Sequence, residues 1–425
     1  MIVIEYKIKA KQYQLTAIDE AIRTGQFVRN KALRYWIDNK EVNKYDLNKY
    51  CRVLAKEYSF ANKLNSTARQ SSAERAWSGI ARFFDNCKKK ASKKGYPKFK
   101  KHSRSVEYKQ SGWKLDKQTK KHIIFTDKNK IGRVKLVGSR SIYFYQPEQI
   151  KRVRLVRRAD GYYTQFCISI EVKEDMQPTG RAIGLDMGLK YFYADNFGHT
   201  EKNPRFYRQS EQRLNRLSRR LSRNKYQNPN KGKKGKQMAK NPRQRQSSNY
   251  HKARVAKAKQ HLRVSRQRKD HAVKLARCVC ASNDCIVYED LSVRNLVRNR
   301  KLSKSISDVG WTQFRNWIEY FGWKFGKITI AVPAHYTSQD CPACGTRVKK
   351  SLSTRTHVCK CGYVEDRDVA ASINILKKGL NTVGHTGIYA WGETPSWAVG
   401  ATLSSNGDSM NQESPSNFRA SRLGE

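Results

Sequence analysis

The chain has 425 residues, enough for two or three domains of ordinary size, which excludes a small structural module of one fold. Its 87 Lys and Arg face 35 Asp and Glu, a formal charge of +52; a compact body so charged repels itself unless a polyanion neutralises it, so a long nucleic acid is the expected partner. No stretch approaches the roughly 20 apolar residues of a membrane span, the first ten residues lack a signal-peptide pattern, and the ten cysteines are too unevenly spread for a disulfide scaffold. We therefore expect a cytoplasmic, nucleoid-associated protein with no membrane partner.

The opening MIVIEYKI alternates like a strand. From about 11 to 100 the period becomes helical, with Ile18 and Ile22, then Leu33, Trp36 and Ile37, then Ala73, Trp77, Ile80 and Phe84 at three- and four-residue spacings. The segment KKKASKKGYPKFKK (88–101) closes this region as a basic loop. Between about 103 and 175 come short β-rich runs, HIIFT, GRVKLV, SIYFY, RVRLV and YYTQFCISIEV, which predict a small antiparallel barrel that the opening strand joins across the helical insertion.

After the boundary QPTGR, RAIGLDMGLKYFYADNFG (181–198) reads as a buried strand ending in Asp186, a turn and a second strand. Residues 205–270 hold 23 Lys and Arg against Glu211 and Asp270, with Leu214, Leu217 and Leu221 at helical spacing. This predicts a basic helix, a loop QNPNKGKKGKQMAKNP and a second basic helix from about 250, which like-charge repulsion would weaken without an anionic partner. CIVYED (285–290) is an apolar run ending in acid, 308–325 an aromatic-rich helix, and KITIAV (327–332) a further buried strand. DRDVAASINILKKGL (366–380) is a helix with an acidic first turn, as the helix dipole favours. Residues 381–425, with Trp391 and Trp397, read as a flexible tail.

Two constellations carry chemistry. Cys341, Cys344, Cys359 and Cys361, in CPAC and CKC, offer four thiolates from two tight turns with Gly345 and Gly362 behind them, the pattern of one closed structural zinc site. His357 is an alternative ligand by proximity but reads as a surface residue, and Cys278, Cys280 and Cys285 read as core. The second constellation is acidic: Asp186 and Glu289 end apolar strands and Asp368 opens a helix after a third, so they can converge at one end of a sheet. Such oxygen ligands suit magnesium, two ions of which hydrolyse phosphodiesters without a nucleophilic side chain. Asp290 beside Glu289 points to the other face of its strand.

The motifs G-L-D-x-G, Y-E-D-L, Y-T-S-Q-D-C-P-A-C-G and C-G-Y-x-x-D-R-D-x-x-A-A/S resemble those of the TnpB family, transposon-encoded RNA-guided endonucleases related to type V CRISPR effectors. The resemblance is close from 181 to about 380 and rests on order and texture over 1–180. It implies a mixed α/β multidomain protein. Its expected parts are a wedge β-barrel (1–10 and 101–178), a helical recognition domain (11–100), an RNase H-like RuvC nuclease domain (181–335 and 363–380) and an inserted four-cysteine zinc module (336–362).

It further implies that Asp186, Glu289 and Asp368 hold the catalytic magnesium ions, that a guide RNA is bound, and that a double-stranded DNA target is cut beside a short flanking motif. Asp366 is the alternative third ligand; the family's D-x-x-A register favours Asp368. Many relatives carry Asn two residues after that acid, where this chain has Ala370. Two rival functions are a nuclease-silent RNA-guided DNA-binding regulator and a conventional transposase acting without RNA.

Overall fold

The computed structural model describes residues 1–116, 118–119, 121–225, 246–351 and 354–382. The expected loop 227–242 and the expected tail from 383 onward lie outside the described residues. The chain is mixed α/β and divides into two compact units, Met1–Glu171 and Val172–Glu425.

In the first unit β1 (Ile2–Lys9) is followed by α1 (Gln12–Asp38), α2 (Lys44–Glu57), α3 (Ser59–Lys63) and α4 (Ser66–Lys88). Six strands follow: β2 (Ser105–Tyr108), β3 (Trp113–Leu115), β4 (His122–Phe125), β5 (Gly132–Val137), β6 (Ile150–Arg158) and β7 (Gly161–Ile168). They form one antiparallel sheet in the order β2-β6-β7-β1-β5-β4-β3. Strand β1 lies inside it, with Ile4 opposite Phe166 and Ile8 opposite Leu136, so the four helices are inserted between the first strand and the sheet it joins.

One helix serves two cores. Ala17, Ile18, Ala21 and Ile22 of α1 pack with the sheet, whereas Val28, Ala32 and Leu33 pack with Leu47, Cys51 and Leu54 of α2 and Ala73, Ala76 and Ile80 of α4. The helix α2 starts where Asn43 accepts the backbone N–H groups of Tyr45 and Asp46 while Asp46 accepts that of Asn43, a reciprocal cap. A buried carboxylate, Glu107 of β2, meets Arg152 at 2.8 Å, Arg154 at 2.5 Å and Arg75 at 3.5 Å. Burial alone would raise its pKa, but the guanidinium groups of Arg75, Arg154 and Arg152 outweigh it and hold the carboxyl at about 2.

Two sequence expectations are corrected here. SIYFY is no strand: Ile142–Phe144 form a single 3-10 turn that buries Ile142 and leaves Phe144 exposed, closed by the Tyr145 N–H to the Ile142 carbonyl, and after Gln146 comes Pro147, which has no N–H for a ladder. The run YYTQFCISIEV leaves the sheet at Ile168 instead of continuing to Val172.

The second unit contains β8 (Ala182–Asp186), β9 (Tyr191–Asp195), β10 (Thr200–Lys202), the basic helices α5 (Phe206–Arg223) and α6 (Ser248–Ser282), and β11 (Cys285–Glu289). The helices α7 (Val293–Leu296), α8 (Ser303–Val309) and α9 (Trp311–Phe325) lead to β12 (Ile328–Val332). A ribbon of β13 (Thr356–Val358) and β14 (Val364–Asp366) precedes α10 (Arg367–Thr382). The main sheet has the order β10-β9-β8-β11-β12; β8, β11 and β12 are parallel, β9 pairs antiparallel with β8, and β10 pairs antiparallel with β9.

Both faces of β8 and β11 are covered, which is why each reads as an unbroken apolar run. Ile183, Leu185, Ile286 and Tyr288 face α6 and α9 through Ala276, Cys280, Phe314 and Ile318. Ala182, Cys285 and Val287 face α10 through Ile375, Leu376 and Leu380. The expected buried strand β12 is instead the sheet edge, with Ile328, Thr329 and Ile330 half-buried and Ala331 exposed. Cys278, expected in the core, is exposed on α6; Cys280 and Cys285 are buried.

Candidate metal-binding active site

Asp186 is the last residue of β8 and Glu289 the last of β11. These strands are parallel neighbours with Leu185 paired to Tyr288, so the next two residues, the acids, emerge side by side at the carboxyl edge of the sheet. Carboxyl edges of parallel strands are where open α/β sheets receive ligands. By alternation both acids belong to the face that α10 covers, and α10 carries Asp368 in its first turn.

The close seat of α10 depends on two glycines. A Cβ at Gly184 would stand 2.2 Å from the Ser372 carbonyl oxygen, and one at Gly379 would stand 2.5 Å from Val287 Cγ1. Neither approach tolerates a side chain.

Burial pushes the Asp186 carboxyl well above the usual carboxylate range, and the charges of Glu289 and Asp368 push it further. Burial also raises Glu289, against the pull of a hydrogen bond from Thr337 and the nearby Lys378. Thr337 Oγ1 donates to Glu289 Oε1 at 2.5 Å. Asp368 is paired with Arg367 at 3.0 Å and Arg355 at 3.7 Å.

Asp366 does different work: it is exposed, and its Oδ1 accepts the backbone N–H of Asp368 at 2.8 Å, starting the helix. Asp290 turns away and pairs with Arg315 of α9. Ala370 is buried, at 1 % exposure.

Cys341, Cys344, Cys359 and Cys361 converge, and among the described residues they are the one group of three or more His, Cys, Asp or Glu ligand atoms lying within 4.8 Å of one another. The Cys341–Cys361 and Cys344–Cys359 sulfur pairs are 3.7 and 3.6 Å apart. A tetrahedron of Zn–S bonds of about 2.3 Å has edges of about 3.8 Å, so the donor set fits that ion. Hydrogen bonds from Thr346, with those of Cys359 and Cys361, draw the Cys344 thiol down to about 6, while against the Tyr363 backbone N–H those of Cys359, Cys344 and Cys341 push Cys361 up to about 12. The expected surface histidine is not at the surface: His357, on β13, is wholly buried, with its Nδ1 against Lys350 and its ring edge-on to Tyr363. It stands outside the cysteine quartet.

The basic helices frame a further surface. Leu214 anchors α5, while Arg213, Arg216, Arg219, Arg220 and Arg223 are exposed. The start of α5 is fixed by buried Asp308, whose carboxylate accepts the backbone N–H groups of Tyr207 and Arg208 and pairs with Arg268 of α6 at 2.7 Å. Among the described residues no helix is long and apolar enough to cross a membrane.

Sequence reading did not find Thr337, Lys378, Arg367 or Asn374 as neighbours of the site. Thr337 had one signal, its place in the Y-T-S-Q-D-C motif ahead of the cysteines.

Two family models match the second unit and its approach: "Probable transposase" over residues 165–300 and "Cas12f1-like, TNB domain" over 311–375. A Streptomyces pristinaespiralis protein described as "Putative RNA-guided DNA endonuclease" is 33% identical over 221 residues, 51% of this chain and 50% of that protein, so the match spans half of that relative's length. "Putative RNA-guided DNA endonuclease InsQ" of Escherichia coli (strain K12) is 26% identical over 303 residues, 67% of this chain and 68% of its own.

"TnpB-like protein L79" of Acanthamoeba polyphaga mimivirus is 29% identical over 129 residues, 29% of this chain and 25% of its own. Two solved structures share the fold. The Cas12f1–sgRNA–target DNA complex has a TM-score of 0.50 at 14% identity, covering 86% of this chain and 83% of that one. The mini-RNA-guided endonuclease CRISPR-Cas_phi3 has a TM-score of 0.51 at 10% identity, covering 89% and 92%. By its motifs, its two matching family models and these relatives, the chain is similar to the TnpB-like proteins.

Proposed function

We propose that this protein is an RNA-guided, metal-dependent DNA endonuclease that hydrolyses phosphodiesters at Asp186, Glu289 and Asp368. The observation that carries this reading is the convergence of the three acids. Two end adjacent parallel strands on the face covered by α10, the third opens α10, and Asp186 carries the electrostatic effect of both others. Buried carboxylates that repel one another gain most from a shared cation. Among the described residues the three acids do not form a group as tight as the cysteine quartet; two magnesium ions about 4 Å apart are the cation pair that this chemistry uses.

When bound, such ions activate water and stabilise the leaving oxygen. The chain's own residues do the rest. Asp186, Glu289 and Asp368 bind and place the cations; Arg367 and Arg355 hold Asp368; Asp366 holds the first turn of α10. The cysteine quartet binds one zinc and, with no open position, serves structure.

In this reading residues 181–335 and 363–380 form a RuvC-like nuclease domain, 336–362 the zinc module, 1–10 and 101–178 the wedge barrel and 11–100 the recognition helices. The exposed arginines of α5 grip phosphate, and a guide RNA supplies sequence through base pairing while the protein reads a short motif beside the target. Two relatives described as RNA-guided DNA endonucleases, and the net charge of +52, support both partners.

The test is cleavage of a target plasmid in magnesium by the protein purified with co-expressed RNA, beside its D186A variant. Wild type should cut and D186A should bind RNA but not cut. A plasmid bound and left intact by wild type overturns the reading in favour of a silent regulator. One observation favours a second reading: the model matching residues 165–300 is described as a transposase. Strand transfer between DNA ends by RNA-free protein would establish that alternative.

A further inference from the structure

Between β12 and the cysteine quartet runs a loop, residues 333–340, that touches both proposed metal sites. At its downstream end Asp340 adjoins Cys341 and pairs across to Arg347. In its middle the Thr337 hydroxyl reaches Glu289, and both groups are buried, at 3 % and 5 % exposure. The residue before it, Tyr336, has φ of 63°, a conformation that a bulky side chain adopts where its surroundings impose it.

What imposes it is α10. Asn374 Nδ2 donates to the carbonyls of Thr337 at 2.8 Å and Asp340 at 2.7 Å, Lys377 Nζ to that of Pro342 at 2.5 Å, and Lys378 Nζ to that of His335 at 2.6 Å. Side chains of one helix thus fasten the loop backbone on both sides of Thr337, between the quartet and the acids. Buried Asn374 has no role in the proposed chemistry, and its amide is aimed at this loop.

We propose that Thr337 is a positioning residue for metal binding: its hydroxyl fixes the orientation of the Glu289 carboxylate, and the loop that presents it is held in place by Asn374 and by metal in the cysteine quartet. The inference rests on the reading of Asp186, Glu289 and Asp368 as a cation site. A carboxylate has two oxygens free to turn about its stem; a donor fixed to Oε1 leaves Oε2 directed and its remaining lone pairs available to a cation. Groups that orient metal ligands in this way change affinity by about 10- to 100-fold when removed. The arrangement also gives the quartet a second consequence besides local folding, because Cys341 ends the segment that carries Thr337.

The experiment uses the full chain and manganese as the probe, with Mn2+ binding read by calorimetry or electron paramagnetic resonance, independently of cutting. Zinc content and circular dichroism of each variant report the fold. Thr337→Val removes the hydroxyl at nearly constant volume and should weaken Mn2+ binding by about 10-fold or more, with one zinc per chain retained. Thr337→Ser keeps the hydroxyl and should restore binding to within a few-fold.

Asp186→Ala should abolish binding. If D186A binds Mn2+ as wild type does, the carboxylate site falls and the role of Thr337 falls with it. If D186A loses Mn2+ while T337V keeps wild-type affinity, the acid site stands and the proposal for Thr337 alone is overturned. Equal weakening in T337V and T337S overturns it too, since a retained hydroxyl would then not preserve binding.

Discussion

The Ser372 carbonyl oxygen occupies the space in which a side chain on residue 184 would begin: a Cβ there would lie 2.2 Å away. Gly184 stands two residues before Asp186 and on the same face of β8, so the backbone approach that seats α10 also sets how near Asp368 comes to Asp186. Gly184→Ala must push the helix off the sheet or strain it. Overpacking typically costs about 1–3 kcal/mol, and because the obstacle is backbone we expect about 3 kcal/mol. Thermal unfolding should show a lowered midpoint, and cutting should fall more than RNA binding does. A G184A protein with wild-type stability would mean that α10 is not packed as described.

Glu107 predicts an acid sensitivity in the first unit. Its carboxyl, held at about 2 by Arg75, Arg154 and Arg152 against the opposing effect of burial, titrates near about 4.3 in an unfolded chain. A depressed carboxylate pKa stabilises the fold above the unfolded value, and that contribution fades as pH falls from about 4.5 toward 2. Two units correspond to about 3 kcal/mol. Denaturant titrations at pH 6 and pH 3 should differ by roughly half of that for wild type, since the folded carboxyl is still mostly ionised at pH 3, and by less for Glu107→Gln. The variant should also be less stable at pH 6, because it leaves arginines without their counter-charge.

Removal of metal from the cysteine quartet has a local signature. Cys344→Ser, or treatment with a strong chelator, should reduce zinc from one per chain to none and open residues 336–366 to protease, while cleavage sites within Met1–Glu171 stay protected. Unchanged protection around the β13–β14 ribbon would show that the quartet folds without its ion.

The exposed arginines of α5 predict salt dependence. Arg213, Arg216 and Arg220 recur at helical spacing on a helix whose one buried residue is Leu214. Replacing all three with Ala should weaken RNA binding and lower the slope of log affinity against log salt by about 0.7 for each single-strand phosphate that is no longer neutralised. An unaltered slope would mean that other basic residues hold the phosphates.

The parts visible in the sequence were those written in local pattern. Asp186 and Glu289 could be singled out because each ends a five-residue strand buried on both faces, and the quartet because four thiols at short spacing have few uses. Parallel pairing of β8 with β11, which brings the two acids together, spans about a hundred residues of chain and has no local signal. Thr337 and Asn374 look like ordinary polar residues until tertiary packing brings one against Glu289 and aims the other at the Thr337 carbonyl. His357 misled because its spacing from the cysteines gave no sign of burial, yet it is buried beside Lys350 and Tyr363. Strand β2 went unnoticed because its four residues, Ser105–Tyr108, are too few for a pattern to stand out, although Glu107 between Val106 and Tyr108 keeps the alternation.

Helix α10 comes last among the described elements, and it supplies the third acid, the cover over the first two and the side chains that fix the Thr337 loop. During synthesis, a ribosome that has released residues up to 366 has exposed two acids with no partner helix and most of the basic surface. The three acids can therefore come together only once α10 has emerged and packed, so the proposed site is completed by the last described element of the chain.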